Sequence, residues 1–175
     1  ADPNQFNDPD TYLGTDWYTG PGDNGGVHTN SGVQNFWYYL LVEGGTGTND
    51  NGNNYTVTAL GMDDAAAIAF RNLTVYLTSS SDYAEARYFS IQSAIDLCGP
   101  CTPQVIAVTN AWYAVGVGSA FSPGVTSDFN ATQVSFCQAP ATVYFTNASN
   151  NAGYFLWYFG DGDTSSAVNP VHTYN

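Results

Sequence analysis

The sequence predicts two modules of different fold class, a mainly α-helical module followed by a shorter all-β module. From residue 31 to about residue 118, apolar residues recur at helical spacing. After residue 130 the pattern changes to short runs of alternating apolar and polar residues that end in a Gly-Asp turn, which is typical of strands. A stretch rich in Gly, Ser, Thr and Pro separates the two patterns, so residues 119–130 are predicted to be a linker between module 1–118 and module 131–175.

Residues 1–30 carry turn signals without a sustained period, and a loop of this length in a compact domain is usually functional. Near its end, two glycines permit a tight turn just before His28. An imidazole suits acid or electrophilic catalysis because its proton equilibrium lies near neutrality, and Asp23, five residues earlier, is placed to fix its tautomer. By spacing alone, the commoner interpretation is a loop histidine that caps a helix.

Four amphipathic helices follow, and their aromatic stripes are predicted to be core. Capping residues and acidic first turns mark where the helices begin, and glycines or serines mark where they end. The predicted limits are a cap at Asn30 or Ser31 with a stop at Gly44-Gly45, a start at Asp63-Asp64 with an end near Leu77, a cap at Asp82, and a start at Thr102-Pro103. Residues 46–58 are predicted to form a loop or a short extended turn.

The all-β module contains a sharp turn at its centre. Predicted strands are Val134-Ser135-Phe136, Val143-Tyr144-Phe145 and Tyr154 to Phe159. Asp161 and Asp163 lie in the turn that follows the last strand. Aspartates beside glycines supply the local hydrogen bonds of tight turns, which explains both residues, and calcium binding is the alternative.

Charge excludes several classes of partner. The chain has no lysine, two arginines and 15 acidic residues, a formal net charge of −13. Such a surface repels phosphate backbones and anionic lipid headgroups, so we expect no nucleic-acid partner. No apolar run approaches the roughly 20 residues that span a bilayer. The start shows no signal peptide and is interpreted as an internal point of a longer chain, while the composition fits a secreted protein.

Three cysteines leave one without an obvious partner. Cys98-Gly99-Pro100-Cys101 has the letters of a dithiol redox motif, but it follows a predicted helix without a βαβ pattern. A short-loop disulfide is therefore expected, with a reduced thiol pair or a dithiol oxidoreductase as alternatives. Cys137 pairs outside the sequence, pairs with another chain, or stays a buried thiol.

A series of motifs runs in order through the first 118 residues: Asp8-Pro9-Asp10, Tyr12, Tyr18-Thr19-Gly20, Asp23 to Gly32, Gly44-Gly45, Ala69 to Leu77, Ala111-Trp112 and Ala114 to Val117. Together they resemble the C-terminal half of thermolysin-like zinc metallopeptidases. In that family the histidine of the Asn-Gly-Gly-Val-His motif hydrogen-bonds the oxyanion of the tetrahedral intermediate, and the preceding aspartate holds its ring. The resemblance assigns these roles to His28 and Asp23.

The zinc-binding motif of that family, H-E-x-x-H, is absent from the sequence. Because His28 and His172 are the only histidines and stand in different modules, no two-histidine zinc site can be built from this chain. The resemblance thus implies a fragment of a secreted zinc metalloendopeptidase that cleaves peptides or proteins, with the metal-bearing half upstream. The fragment alone is predicted to be inactive. The alternative is a non-enzymatic extracellular module for adhesion, surface display or self-assembly.

The second module carries its own signature. Trp157-x-Phe159-Gly160-Asp161-Gly162, followed by Asn169-Pro170 and His172-x-Tyr174, resembles a polycystic-kidney-disease (PKD) type domain. The resemblance implies a truncated immunoglobulin-like β-sandwich in which His172 is a packed strand residue. Because an incomplete sheet exposes unpaired edges, strand completion by another chain or by a continuation of this one is expected.

Overall fold

The computed structural model describes residues 3–124, 126–132 and 138–175. The predicted strand Val134 to Phe136 and Cys137 lie outside the described residues. The chain divides into two compact units, Ala1–Phe121 and Ser122–Asn175, which we call the helical unit and the β unit.

The helical unit contains the four long helices that the sequence predicts, together with shorter elements. The longest helix has 16 residues, and no described helix is long and apolar enough to cross a membrane. The elements are a 3₁₀ turn at Pro3–Phe6, α1 (Asp23–Gly26), α2 (Gly32–Glu43), β1 (Gly45–Thr48), β2 (Asn54–Val57), α3 (Met62–Arg71), a π-helical segment at Asn72–Tyr76, α4 (Tyr83–Cys98) and α5 (Pro103–Ala114).

Helix boundaries follow the local signals. α2 ends at Gly44, whose φ of 71° is readily adopted only by glycine. α4 begins after Asp82, whose carboxylate accepts the backbone N–H of Glu85 at 2.9 Å. α5 begins with Pro103 at its first position, where the missing N–H costs no helical hydrogen bond.

The core of the helical unit lies where α2 and α5 meet. Trp37 and Trp112 are 1% and 0% exposed, and their rings stack with centroids 4.8 Å apart. The indole Nε1 of Trp112 donates to Ser90 Oγ on α4 at 2.7 Å, which satisfies the buried N–H. The aromatic residues predicted to be core are therefore buried in α2 and α5, whereas Tyr88, predicted on the stripe of α4, is 64% exposed.

Two elements differ from the sequence expectation. The predicted loop at 46–58 contains an antiparallel hairpin, β1 with β2, in which Thr48 lies opposite Asn54. The helix predicted to run to Leu77 changes to π-helical winding at Asn72. Asn72 is 2% exposed and its side chain donates to the carbonyl of Ala86 at 3.2 Å, a contact with α4 that no helical pattern reveals.

The β unit consists of small sheets. β4 (Ala141–Asn147) confirms a predicted strand and pairs antiparallel with β3 (Phe129–Ala131) and β7 (Val171–Tyr174). The predicted strand at 154–159 is reduced to β5 (Trp157–Tyr158), which among the described residues pairs only with β6 (Thr164–Ser165). These strands do not confirm an immunoglobulin-like sandwich.

Candidate active-site turn

The turn before His28 has an unusual backbone. Asp23, Asn24, Gly25 and Gly26 have φ values of 53°, 47°, 83° and 90°, four successive residues with positive φ. Asp, Asn and Gly are the residues that tolerate this region best. The sequence Asp-Asn-Gly-Gly therefore reverses the chain within one turn and brings the start of the segment back beside His28.

The Asp23 carboxylate organises the turn. Its Oδ2 accepts the backbone N–H groups of His28 at 2.9 Å and Thr29 at 3.1 Å. Its Oδ1 lies within hydrogen-bond distance of Nδ1 of His28. The hydrogen bond from the His28 ring, and next the one from the Thr29 N–H, lower the pKa of Asp23, so the carboxylate is ionised at neutral pH.

The ring of His28 is presented to solvent. Its side chain is 85% exposed, while that of Asp23 is 24% exposed. Because Asp23 binds the Nδ1 side, Nε2 lies on the opposite, outward side of the ring. The Ser31 hydroxyl donates to the carbonyl oxygen of His28 and fixes the backbone after it. The predicted pair is thus brought together with one ring nitrogen free to face a reacting group.

Asn30 and Tyr83 also hold this turn, although neither residue carries a functional signal in the sequence. Asn30 was expected only as a possible helix cap, yet its amide bonds the backbone of Tyr18, twelve positions earlier. Tyr83 lies on α4, and its hydroxyl group donates a hydrogen bond to the backbone carbonyl of Asn30 at 2.8 Å. Long-range contacts of this kind leave no local spacing pattern.

Zinc does not fit the described residues of the helical unit, which contain no cluster of three His, Cys, Asp or Glu side chains able to hold an ion. Asp161, Asp163 and His172 of the β unit do form such a cluster, with ligand atoms within 4.8 Å of one another. Asp161 Oδ2 lies 2.7 Å from His172 Nε2, and Asp161 Oδ1 accepts the backbone N–H of Asp163 at 3.2 Å. These hydrogen bonds account for the positions of the Asp161 carboxylate and the His172 ring without an ion.

His172 is packed as predicted. It lies in β7, is 9% exposed, and stacks on the ring of Phe159 with centroids 4.2 Å apart. Its hydrogen bond lowers the pKa of Asp161. The turn between Phe159 and Asp163 is therefore fastened to the last described strand.

The expected disulfide is not formed, because Cys98 and Cys101 are both free and exposed. The connection they flank is closed by hydrogen bonds: Gly99 N–H donates to the Ile95 carbonyl at 2.7 Å, and the Thr102 hydroxyl donates to the Gly99 carbonyl at 3.1 Å. So short a loop gains little entropy from a cross-link, which is consistent with its stability without one.

The sequence profile described as "Thermolysin metallopeptidase, alpha-helical domain" matches residues 1–117. The chain belongs to this family. It is 44% identical to bacillolysin of Bacillus cereus over 117 residues, which is 67% of this chain and 19% of the relative. It is 47% identical to bacillolysin of Brevibacillus brevis over 118 residues, or 66% and 21% of the two chains.

A thermolysin of Alicyclobacillus acidocaldarius subsp. acidocaldarius is 42% identical over 117 residues, covering 67% of this chain and 20% of the relative. The chain thus matches about a fifth of the length of these curated relatives. The matched residues end before the β unit begins.

Proposed function

We propose that this chain is part of a secreted zinc metalloendopeptidase and that His28 stabilises the transition state of peptide-bond hydrolysis. The observation that carries the proposal is the pairing of an 85% exposed imidazole with an ionised aspartate on its Nδ1 side. Membership in the thermolysin metallopeptidase family supports the peptidase class. Peptides or proteins are the proposed substrates.

In this mechanism His28 acts on the oxygen of the scissile carbonyl. When water adds to the carbonyl carbon, negative charge develops on that oxygen, and Nε2 of His28 donates a hydrogen bond to it. Because Asp23 accepts a hydrogen bond from Nδ1–H, one proton of the ring is already on Nδ1. A hydrogen bond donated from Nε2 therefore requires a second proton on the ring, and the Asp23 carboxylate stabilises the resulting positive charge. A donor of this type typically lowers the barrier by about 3 to 4 kcal/mol.

Zinc, when bound to the parent enzyme, would activate the attacking water, but the described residues of the helical unit contain no cluster of side chains that could hold it. The upstream metal-bearing half is therefore the first proposed partner of this chain. We expect residues 1–175 alone to be inactive on peptides, even with added zinc. Zinc-dependent cleavage of casein by the pure chain would contradict this expectation.

The decisive variant is His28→Ala in the complete enzyme. Since the hydrogen bond forms only in the transition state, kcat should fall by about 100-fold or more while KM changes little. Asp23→Asn should reduce kcat less, because the ring keeps a neighbour that accepts a hydrogen bond. His172→Ala is the matched control and should leave kcat unchanged. An unaltered kcat in His28→Ala would remove His28 from the mechanism.

For the β unit we propose a PKD-like module of residues 131–175, joined by linker 119–130 and completed by strands from another chain. The supporting observation is a groove of about 480 Å³ that is lined by aromatic and polar side chains. Its aromatic lining includes Phe129, Phe145, Tyr154, Trp157, Phe159 and Tyr174.

A purely structural role in adhesion or self-assembly is the second candidate function. This structural role would be favoured if the complete protein formed an ordered polymer, bound no zinc and did not cleave casein.

A further inference from the structure

Asn30 joins two segments of the helical unit through its side chain. Its Oδ1 accepts the backbone N–H of Tyr18 at 2.9 Å, and its Nδ2 donates to the backbone carbonyl of Tyr18 at 3.0 Å. Asn30 is 7% exposed, so both hydrogen bonds are shielded from water. The amide thus pairs with Tyr18 as a neighbouring strand would, and it fixes the segment that leads into the turn.

The backbone of Asn30 is held from two further directions. Its N–H donates to the carbonyl of Gly26 at 2.7 Å, which closes the turn, and its carbonyl accepts the hydroxyl of Tyr83 at 2.8 Å. The ring of Tyr83 packs edge-on against Tyr12, with centroids 5.5 Å apart, and lies 6.0 Å from the ring of Trp112. Residue 30 therefore connects the turn to the aromatic core.

Burial keeps this connection intact over a wide pH range. Desolvation raises the pKa of Tyr83 to about 12, so its hydroxyl stays protonated and continues to donate. The amide of Asn30 does not titrate at all. Neither group that holds the backbone of residue 30 therefore changes its charge near neutral pH.

Gly26 and Asn30 depend on each other sterically. A Cβ added to Gly26 would lie 2.6 Å from Nδ2 of Asn30, and Gly26 has a φ of 90°. The amide therefore occupies the space that any other side chain at position 26 would need. This close approach fixes the backbone on both sides of His28, at Gly26 before it and at Asn30 after it.

We propose that Asn30 and Tyr83 are positioning residues, which hold Asp23 and His28 in the mutual orientation that catalysis needs. Neither side chain faces the exposed ring of His28, and each acts through the backbone of the turn. The catalytic meaning of this inference rests on the proposed function, whereas the positioning itself is a property of the chain.

NMR spectroscopy of the 175-residue chain tests the positioning directly. Asn30→Ala removes both side-chain hydrogen bonds, and Asn30→Asp keeps the acceptor but places a carboxylate against the Tyr18 carbonyl. Asn49→Ala is the matched control. Asn49 is 6% exposed, accepts the N–H of Asn53 at 3.0 Å and donates to the Tyr113 carbonyl at 3.1 Å, so it makes the same number of hydrogen bonds elsewhere in the unit.

We expect backbone order parameters of residues 23–29 to fall from about 0.85 to below about 0.6 in Asn30→Ala. The pKa of Asp23, followed by ¹³C-detected titration, should rise toward its ordinary value because the His28 ring is no longer held against it. Asn49→Ala should lower the melting temperature comparably and leave both quantities unchanged. Tyr83→Phe preserves the ring and should shift both quantities in the same direction by a smaller amount.

A folded Asn30→Ala chain with an ordered turn and an unshifted Asp23 would overturn the inference. If Asn30→Ala does not fold, the same result in Tyr83→Phe overturns it. In the complete enzyme, loss of positioning should lower kcat roughly tenfold with KM nearly constant, as loss of about one net hydrogen bond implies. Failure of the peptidase proposal would appear instead as an unchanged kcat in His28→Ala, whatever the NMR measurements show.

Discussion

The helical unit and the β unit differ in how completely they bury their aromatic side chains. In the helical unit Trp37 and Trp112 are sealed between helices. In the β unit Tyr154 is 98% exposed, Tyr158 is 76% exposed, and β5 has only two residues. Burial of apolar area, to which aromatic rings contribute most per residue, is the dominant favourable term in folding, so the helical unit can hold the turn around His28 in place, whereas the β unit has much less buried area with which to stabilise itself.

The largest expected effect concerns the core of the helical unit. Trp112→Ala removes the stack on Trp37 and leaves Ser90 without its buried donor, so the free energy of unfolding should fall by about 3 to 5 kcal/mol. Trp157→Ala in the β unit is the matched control. Chemical denaturation monitored by far-UV circular dichroism measures both variants. Equal losses in the two variants would contradict the difference in packing.

Hydrogen exchange compares the two units in a single sample. Amides of α5 should exchange slowly because its buried face closes the core. Amides from Val143 to Phe159 should exchange much faster in a dilute monomer, because the short strands β3 and β7 that flank β4 have no described partner on their outer edges and β5 has only two residues. Adding a chain that completes the sheet should slow them. Slow exchange across Val143 to Phe159 in the monomer alone would show that the β unit is stable without completion.

How much of this could be predicted depends on how local each interaction is. The limits of α2, α4 and α5 follow from caps and periodicity within a few residues. The contact of Asp23 with His28 spans five residues and lies within one glycine-rich turn, so it could be predicted from the sequence. The catalytic role of the pair stays a proposal.

Other features depend on contacts between distant residues. Asn30 pairs with Tyr18 across twelve positions and with Tyr83 across 53 positions, and no spacing rule connects them. The π-helical winding arises where Asn72 contacts α4. In the hairpin at 45–57 only the four-residue strand β2 alternates polar and apolar residues, and the Gly-Thr repeat of β1 carries no such pattern. Tertiary contacts decide all of these elements, so the local pattern could not reveal them.

A smaller effect is expected where each unit uses an aspartate to fix a chain end or turn. Asp82 accepts the N–H of Glu85 at the start of α4, and Asp161 accepts the N–H of Asp163 in the turn of the β unit. Asp82→Ala should lower the free energy of unfolding by about 1 kcal/mol. Thermal denaturation of the helical unit measures the loss. Asp82→Asn, which keeps an acceptor oxygen, is the control and should retain most of the stability.

The smallest expected effect is the acid sensitivity of the two units. On the surface of the helical unit Asp96 accepts hydrogen bonds from Tyr76, from Arg71 at 2.7 and 3.0 Å, and from Gln92 at 2.9 Å. These hydrogen bonds, of which the one from Tyr76 has the largest effect, lower the pKa of Asp96 to about 2. An aspartate in an unfolded chain has a pKa of about 3.9.

Because the folded pKa of Asp96 is the lower one, its contribution to stability is fully present above the unfolded pKa and is lost as the pH falls through about 2. Thermal melts of the wild type between pH 5 and pH 2 should therefore decline more steeply than those of Asp96→Asn, which has no carboxylate to protonate. High salt should narrow the difference, since the network is exposed. Asp161 of the β unit is shifted in the same direction by His172, so Asp161→Asn provides the corresponding test there. Parallel pH profiles for the wild type and Asp96→Asn would show that the surface network does not stabilise the helical unit.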